Sequence, residues 1–323
     1  MKKIITLKEK KVLIFNPKSP YNFDANFHKP SHFPSSDNVW EKSNYWITMI
    51  WKEQILGLKF KDMGSINKPK IQVNIYSQKK LSKKFIDILI PEINWRFNFK
   101  QDISEFCKKF SKNKSIGSII KKWKGMKPIG ANSLYETLVI YFVLQNATVR
   151  RSVQMLENLF DKFGKKVKFD NKILSTFWSP EKMIKSTEQE LRDLKVGYRV
   201  KFFIKLTKQF VKKEINEFEL RKKEKEEVKE KMLKLYGIGP ASIEYILFED
   251  FYFLDSLNTI PPWEQKIMSK LLFNKPLVST DKILKFFKKY EKFEKLAFHY
   301  IWEDIFWKRK HKHIEWLEKE IRL

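Results

Sequence analysis

The spacing of apolar and polar positions changes once along the chain, near residue 99. Before that point, 44–61 (NYWITMIWKEQILGLKFK) reads as two β-rich runs separated at Lys52 and Glu53, and 70–77 (KIQVNIYS) alternates apolar and polar side chains as a half-buried strand does. Together these segments predict an antiparallel sheet. The stretch 16–37 carries prolines at 17, 20, 30 and 34, which excludes a regular helix and predicts a long surface loop. From Phe99 onward the spacing is helical, and it predicts helices to the end of the chain. Ser133 and Glu136 have capping-box spacing at the start of a helix running through Val143. A second helix starts near Thr148 and stops at Gly164, read as its C′ residue. Ser186 to Gln189 opens a short helix, and 198–215 places Phe202, Phe203, Leu206, Phe210 and Val211 on one side. The stretch 221–231, dense in both charge signs, reads as a solvated helix face. The segment 279–323 spaces Phe286, Phe293, Phe298, Ile301 and Phe306 as core-closing helices would. The expected fold is α+β, with an antiparallel β-rich N-terminal domain over 1–98 and a mainly helical domain over 99–323.

Composition adds a partner to this outline. The 323 residues are 42% hydrophobic and include 28 Phe, 10 Trp and 11 Tyr, enough for a large core. Lys and Arg number 66 against 38 Asp and Glu, a formal net charge of +28. That excess fits nucleic acid, an anionic membrane surface or a Lys-rich compositional habit, and nucleic acid is the favoured reading. The longest apolar runs, such as Leu138 to Leu144, are far shorter than the ~20 residues a membrane span needs. The N-terminal MKKIITLKEKKVLIF is interrupted by charges, with no small-residue cleavage site after it, so the expected location is intracellular, cytoplasmic or nucleoid-associated. Cys107 is the single cysteine, which excludes an intrachain disulfide and any cysteine-ligated zinc or iron–sulfur cluster. Of the histidines at 28, 32, 299, 311 and 313, the last two fall on different helix faces among Lys308, Arg309, Lys310 and Lys312, which repel a cation. Neither a metal nor an organic cofactor is expected.

The most informative segment is 228–248, VKEKMLKLYGIGPASIEYILF. One helical pattern ends at Leu235, another begins at Pro240, and Tyr236, Gly237, Ile238 and Gly239 stand between. Glycine at 237 and 239 allows positive φ, and Pro240 suits a first helical position. The result is a helix–hairpin–helix whose outward N–H groups, backed by the helix dipole, can bind a phosphate oxygen. Such donors hold a nucleic acid at a position without reading its sequence. An ordinary helical turn with two glycines is the plain alternative. Downstream, 259–267 (TIPPWEQKI) sets prolines ahead of Glu264, which lies 25 residues past Gly239.

With this hairpin and the acid beyond the prolines, the chain resembles the helix–hairpin–helix DNA glycosylase superfamily. The segment 194–201 (LKVGYRVK) is similar to the Gly-Tyr-Arg segment of the 8-oxoguanine glycosylase branch, and 144–151 (LQNATVRR) to its polar pocket loop. The segment 297–302 (AFHYIW) is similar to the closing helix of the 3-methyladenine branch, and both branches carry a sheet ahead of the helices. These are the branches without an iron–sulfur cluster. The resemblance implies a base-excision-repair enzyme acting as a monomer on double-stranded DNA with a flipped damaged base. It implies Glu264 as the catalytic carboxylate, backbone and side-chain DNA contacts at Lys234, Tyr236, Gly237, Ile238, Gly239, Pro240 and Lys266, and a base pocket drawn from Trp263, Gln145, Asn146, Tyr198 and Phe293. A carboxylate is required because breaking an N-glycosidic bond builds positive charge on the sugar.

Two departures alter what the resemblance implies. Glutamate stands where the family has aspartate, and Glu264 is equally what a helix dipole selects in a first turn. Asp255, 16 residues past Gly239, is the rival acid without the proline context. Ala241 falls where lyase-competent relatives place a nucleophilic lysine, so the expected enzyme is monofunctional and uses water; Lys234 and Lys266 are possible substitutes, each more simply a phosphate contact. The other readings are a glycosylase-like protein that binds damaged or structured DNA without catalysis, and an unrelated helical RNA-binding protein.

Overall fold

The computed structural model describes residues 3–321. The strands are β1 (Ile4–Thr6), β2 (Glu9–Phe15), β3 (Asn38–Glu41), β4 (Asn44–Trp51), β5 (Gln54–Asp62), β6 (Ile71–Ser77), β7 (Lys166–Phe169) and β8 (Lys172–Ser175). Five of them form an antiparallel sheet in the order β2-β6-β5-β4-β3. Its central hairpin turns at Lys52 and Glu53, both with positive φ (46° and 64°), as a two-residue turn matched to strand twist requires. Phe60, Val73 and Ile75 point from the sheet into a core closed by Leu89, Ile93 and Phe97 of the helix Lys83–Arg96.

Two expectations are corrected here. The stretch 16–37 is not a surface loop: the short helix Phe23–Phe27, capped by Asn22, packs Phe23 and Phe27 into the sheet core, and Tyr21, Asn26 and Asp37 are buried. Proline excluded a long helix but did not prevent burial, because the aromatic side chains between the prolines gain from leaving water. Nor is the chain helical to its end, since 166–175 (KVKFDNKILS) forms the β7–β8 hairpin with Asp170 and Asn171 at positive φ. β1 pairs parallel to β7, making a second, three-stranded sheet. Asp170 anchors it, accepting from Trp46 Nε1 (2.7 Å) and Tyr76 Oη (3.0 Å) and pairing with Lys59 Nζ (2.8 Å). Phe169 lies flat on Gly57, where a Cβ would stand 2.5 Å from the ring. Alternation and an Asp-Asn turn were the signals of this hairpin.

The remaining helices form two cores. One joins Leu138 and Phe142 of the capped helix Leu134–Leu144 to Leu159, Phe203, Ile243 and Ile246. The other gathers Phe106, Ile267, Phe287, Tyr290 and Tyr300 around the long helix Glu294–His311. Gly164 ends the helix Val149–Phe163 without positive φ (−74°); it is small because a Cβ there would meet the Thr176 carbonyl at 2.4 Å. The short helix Glu188–Asp193 is capped by Thr187 with Glu190, one residue later than the pattern indicated. No described helix is long and apolar enough to cross a membrane.

Candidate active site

The helices Lys225–Leu233 and Pro240–Glu249 flank the turn 234–239, with Pro240 as first helical residue and Gly239 as N-cap. Only Gly237 takes positive φ (94°), and there a Cβ would press on the Phe202 and Phe142 rings at 3.0–3.2 Å. Gly239 has φ −107°, and a Cβ on it would meet nothing within 4 Å, so the expectation of positive φ at both glycines is corrected. What Gly239 provides is a bare approach to the backbone. The N–H groups of Gly239, Ala241 and Ser242 have no partner among the described residues, the first intrahelical bond being from Ile243 N–H to the Gly239 carbonyl (3.1 Å).

Side chains hold this turn and give it charge. Gln145 Nε2 donates to the Gly237 carbonyl (2.6 Å), so Gln145 braces the hairpin. Ile238 is buried, while Tyr236 is exposed and lies under Lys205 Nζ, 3.5 Å from the ring centroid. Tyr236 and Lys234 border a groove of about 260 Å³ shared with Lys205, Lys208 and Lys212. Lys234 pairs with Glu230 (2.6 Å) and Lys266 with Glu320 (3.2 Å), both at the surface. Tyr198 is 52% exposed and connects to the hairpin through Phe202, with ring centroids 5.6 Å and 5.4 Å apart along Tyr198, Phe202 and Tyr236. Asn146, exposed at positive φ (48°), donates to Tyr198 Oη at 3.4 Å.

The segment between the hairpin and Glu264 is pinned at both ends. Glu244 accepts from Asn258 N–H (3.2 Å) and Nδ2 (3.1 Å), and Thr259 Oγ1 donates to the Pro240 carbonyl (3.4 Å). On its other side, the Leu254 carbonyl accepts from the Lys295 and Leu296 N–H groups at the start of the closing helix (2.9 and 3.2 Å). Asp255 forms an ion pair with Lys225 (2.6 Å). The chain then enters the helix Pro262–Phe273, whose first turn carries Trp263, half-exposed and edge-on to Trp302, and Glu264.

Glu264 is 2% exposed, and its carboxyl makes no hydrogen bond or ion pair among the described residues. Its oxygens nevertheless keep access to solvent, so the group opens onto a space rather than being sealed in the core. Burial pushes its pKa up to about 7, against a downward pull from the Lys295 ammonium. Lys295 is itself 3% exposed, with Nζ 4.3 Å from the Tyr245 ring centroid and 4.9 Å from that of Phe298. Burial lowers its pKa in spite of Glu264, Glu244 and Glu249. Deeper along the same helix, buried His299 keeps Nε2 unpaired and is held neutral by burial and by the cations at Lys29, His32 and Lys295.

Five residues were grouped as a base pocket, and the structure disperses them. Gln145, Asn146 and Tyr198 belong to the hairpin side, Trp263 borders the Glu264 turn, and Phe293 is packed in the core against Phe106 and Phe110 (5.5 and 6.4 Å). Lys295 and His299 went unnoticed by sequence reasoning. Their signal was a lysine and a histidine inside the otherwise apolar stretch 293–302 (FEKLAFHYIW), at positions four apart and so on one helix face.

No family model matches the chain. A DNA-3-methyladenine glycosylase of Bacillus subtilis is 20% identical over 253 residues, covering 73% of this chain and 82% of that protein. The structure is similar to that of the 3-methyladenine DNA glycosylase of Archaeoglobus fulgidus (TM-score 0.70, 15% identity, 90% of this chain and 96% of the other). It is also similar to the 8-oxoguanine glycosylase/lyase of Clostridium acetobutylicum solved with double-stranded DNA containing cytosine opposite 8-oxoguanine (TM-score 0.66, 18% identity, 94% and 99%). The chain has the fold of the helix–hairpin–helix DNA glycosylases, N-terminal sheet included.

Proposed function

We infer that a chain with this fold and this carboxyl group is a DNA glycosylase of base excision repair, which removes a damaged base flipped out of duplex DNA and acts as a monomer. The observation that carries the reading is Glu264: buried, without a protein partner, open to solvent, and tied to the phosphate-binding hairpin through the pinned segment 254–261. A carboxylate in that setting stabilises the positive charge that develops on the sugar as the N-glycosidic bond breaks, because low dielectric strengthens its field and no protein cation within 4 Å neutralises it. The hairpin N–H groups and the lysine-lined groove beside Tyr236 grip the strand without regard to base identity. Tyr198 stands exposed on the same side and suits insertion into the base stack in place of the extruded base. The base itself is received between the Glu264 turn, with Trp263 at its rim, and the Lys295 and Tyr245 side chains.

Base release from duplexes carrying oxidised, alkylated or deaminated bases tests the reading. The wild-type protein is expected to leave abasic sites in at least one duplex and Glu264→Gln in none; salt-sensitive binding with no base released from any of them overturns it.

A further inference from the structure

We propose that Lys295 is the amine nucleophile of this site and that the protein cleaves abasic DNA through a Schiff base formed from its closing helix. The proposal rests on the DNA glycosylase reading, and it revises the water-only chemistry expected when position 241 is considered by itself. Three observations carry it. Lys295 is the one of the two charged groups in this space that can form a covalent bond to an aldehyde, and it is neither spent in an ion pair nor hydrogen-bonded among the described residues. Its Nζ lies above Tyr245, four residues and one helical turn beyond Ala241, so the closing helix delivers an amine to the same face of the helix Pro240–Glu249 that Ala241 leaves without one. Glu264, the group placed beside the reacting sugar, lies within electrostatic range of that amine but not within 4 Å of it, which leaves room for a ligand atom between them.

The environment also keeps the amine reactive. Desolvation favours the neutral form, whose lone pair is needed for attack, as it does for other buried lysine nucleophiles. During base removal that lone pair forms the Nζ–C1′ bond while the C1′–base bond breaks and the base leaves with its electron pair; the proton lost from nitrogen balances the one the base takes up. On a pre-formed abasic site the amine adds to the C1′ aldehyde and a water molecule leaves, giving the same imine. The Glu264 carboxylate then removes a 2′ proton, the C2′–C3′ double bond forms, and the 3′ phosphate departs with the C3′–O electron pair. Water hydrolyses the imine and restores the lysine. The N–H groups exposed at Ala241 and Ser242, near the strand, suit the departing phosphate's neighbours and not the sugar, so the chemistry and the grip fall to different elements.

The test uses the full chain and a duplex whose abasic site is made in advance by removing uracil, so that it needs no knowledge of the damaged base. Sodium borohydride, which delivers hydride to C1′ of the imine, converts the adduct into a stable amine. Wild-type protein is expected to give a covalent DNA complex on a denaturing gel, and peptide mapping to place the adduct on Lys295. Lys295→Arg, which keeps the charge and cannot form an imine, is expected to lower the yield by at least about tenfold while retaining the wild-type melting temperature and salt-sensitive DNA binding. Absence of a complex, mapping to another amine, or undiminished trapping by Lys295→Arg overturns the proposal. Because mapping is done on the wild-type protein, the result does not depend on the variant folding. Base release without trapping sinks this inference and leaves the glycosylase reading intact; trapping at Lys295 with no base released from any damaged duplex does the reverse.

Discussion

The hairpin and the Glu264–Lys295 pair do opposite things with polar groups. At the hairpin, the polar atoms are backbone N–H groups left over where a helix starts, solvated, and surrounded by lysines at the surface. At the pair, the polar atoms are side-chain charges taken out of water and given no partner. The first arrangement costs the fold almost nothing, since those donors are unpaired at any helix N-terminus. The second is held against the preference of both groups for water, and it persists because two cores and a pinned segment over-determine it. Binding that any strand satisfies can be built from cheap local groups, whereas chemistry on one bond needs groups whose protonation has been shifted, and these require burial.

The largest expected effect separates the two regions. Glu264→Gln should lower base release by about a hundredfold or more, the scale of losing a group aimed at transition-state charge, while duplex binding stays within about twofold. The same variant should be the more stable protein in alkaline buffer. Because the folded-state pKa of Glu264 is raised to about 7, its contribution to stability is present below the ordinary value of 4.5 and is lost as pH rises through 7. A raise of that size corresponds to about 3 kcal/mol, to order of magnitude, so thermal melts at pH 8 should favour Gln and melts at pH 4 should show no difference. Equal melting temperatures at pH 8 would mean that the carboxyl is solvated.

The pH profile is the next sharpest test. Only the ionised carboxylate stabilises positive charge, so base release should climb roughly tenfold from pH 6 to pH 8 around a midpoint near 7. Loss of the Lys295 proton acts in the same direction. A flat profile over that range separates Glu264 from the chemistry.

The hairpin is probed by its two glycines, which the structure makes unequal. Gly237→Ala puts a side chain into the left-handed region and against Phe202 and Phe142, and should destabilise the fold by about 1–3 kcal/mol with a parallel loss of DNA affinity. Gly239→Ala should leave stability within about 0.5 kcal/mol yet weaken binding, because its methyl occupies the approach to the N–H groups. Denaturant melts and salt-titrated duplex binding read both outcomes. The smallest effect is expected at Lys234→Ala: a severalfold loss of affinity on every duplex, and a slope of log K against log salt reduced by about 1.

How much of this could be read from the sequence varies by region. The hairpin was legible because glycine, proline and helix caps act on their immediate neighbours, and the β4–β5 and β6 strands because alternation is a local property. The β7–β8 hairpin carried the same kind of signal, an alternating run around Asp170 and Asn171, and was obscured by the helices on either side. The burial of 16–37 left no local trace beyond its aromatics, since Tyr21, Phe23 and Phe27 are interior only because the sheet and the helix Lys83–Arg96 surround them. Glu264 stood out through its prolines, yet its burial and its raised pKa did not.

By itself the amino-acid order determined where helices begin and end, that a twin-glycine corner would expose backbone donors, and that an overall charge of +28 would meet a polyanion. Turn geometry, capping and net charge depend on residues near one another or on a sum over all of them. Tertiary structure alone decided that Lys295, 31 residues beyond Glu264, would share its space, that Tyr245 would lie beneath the amine, and that Phe293 would be packed in the core. Desolvation and electrostatic coupling between distant segments have no period along the chain, because they arise only when folding removes the water between the groups.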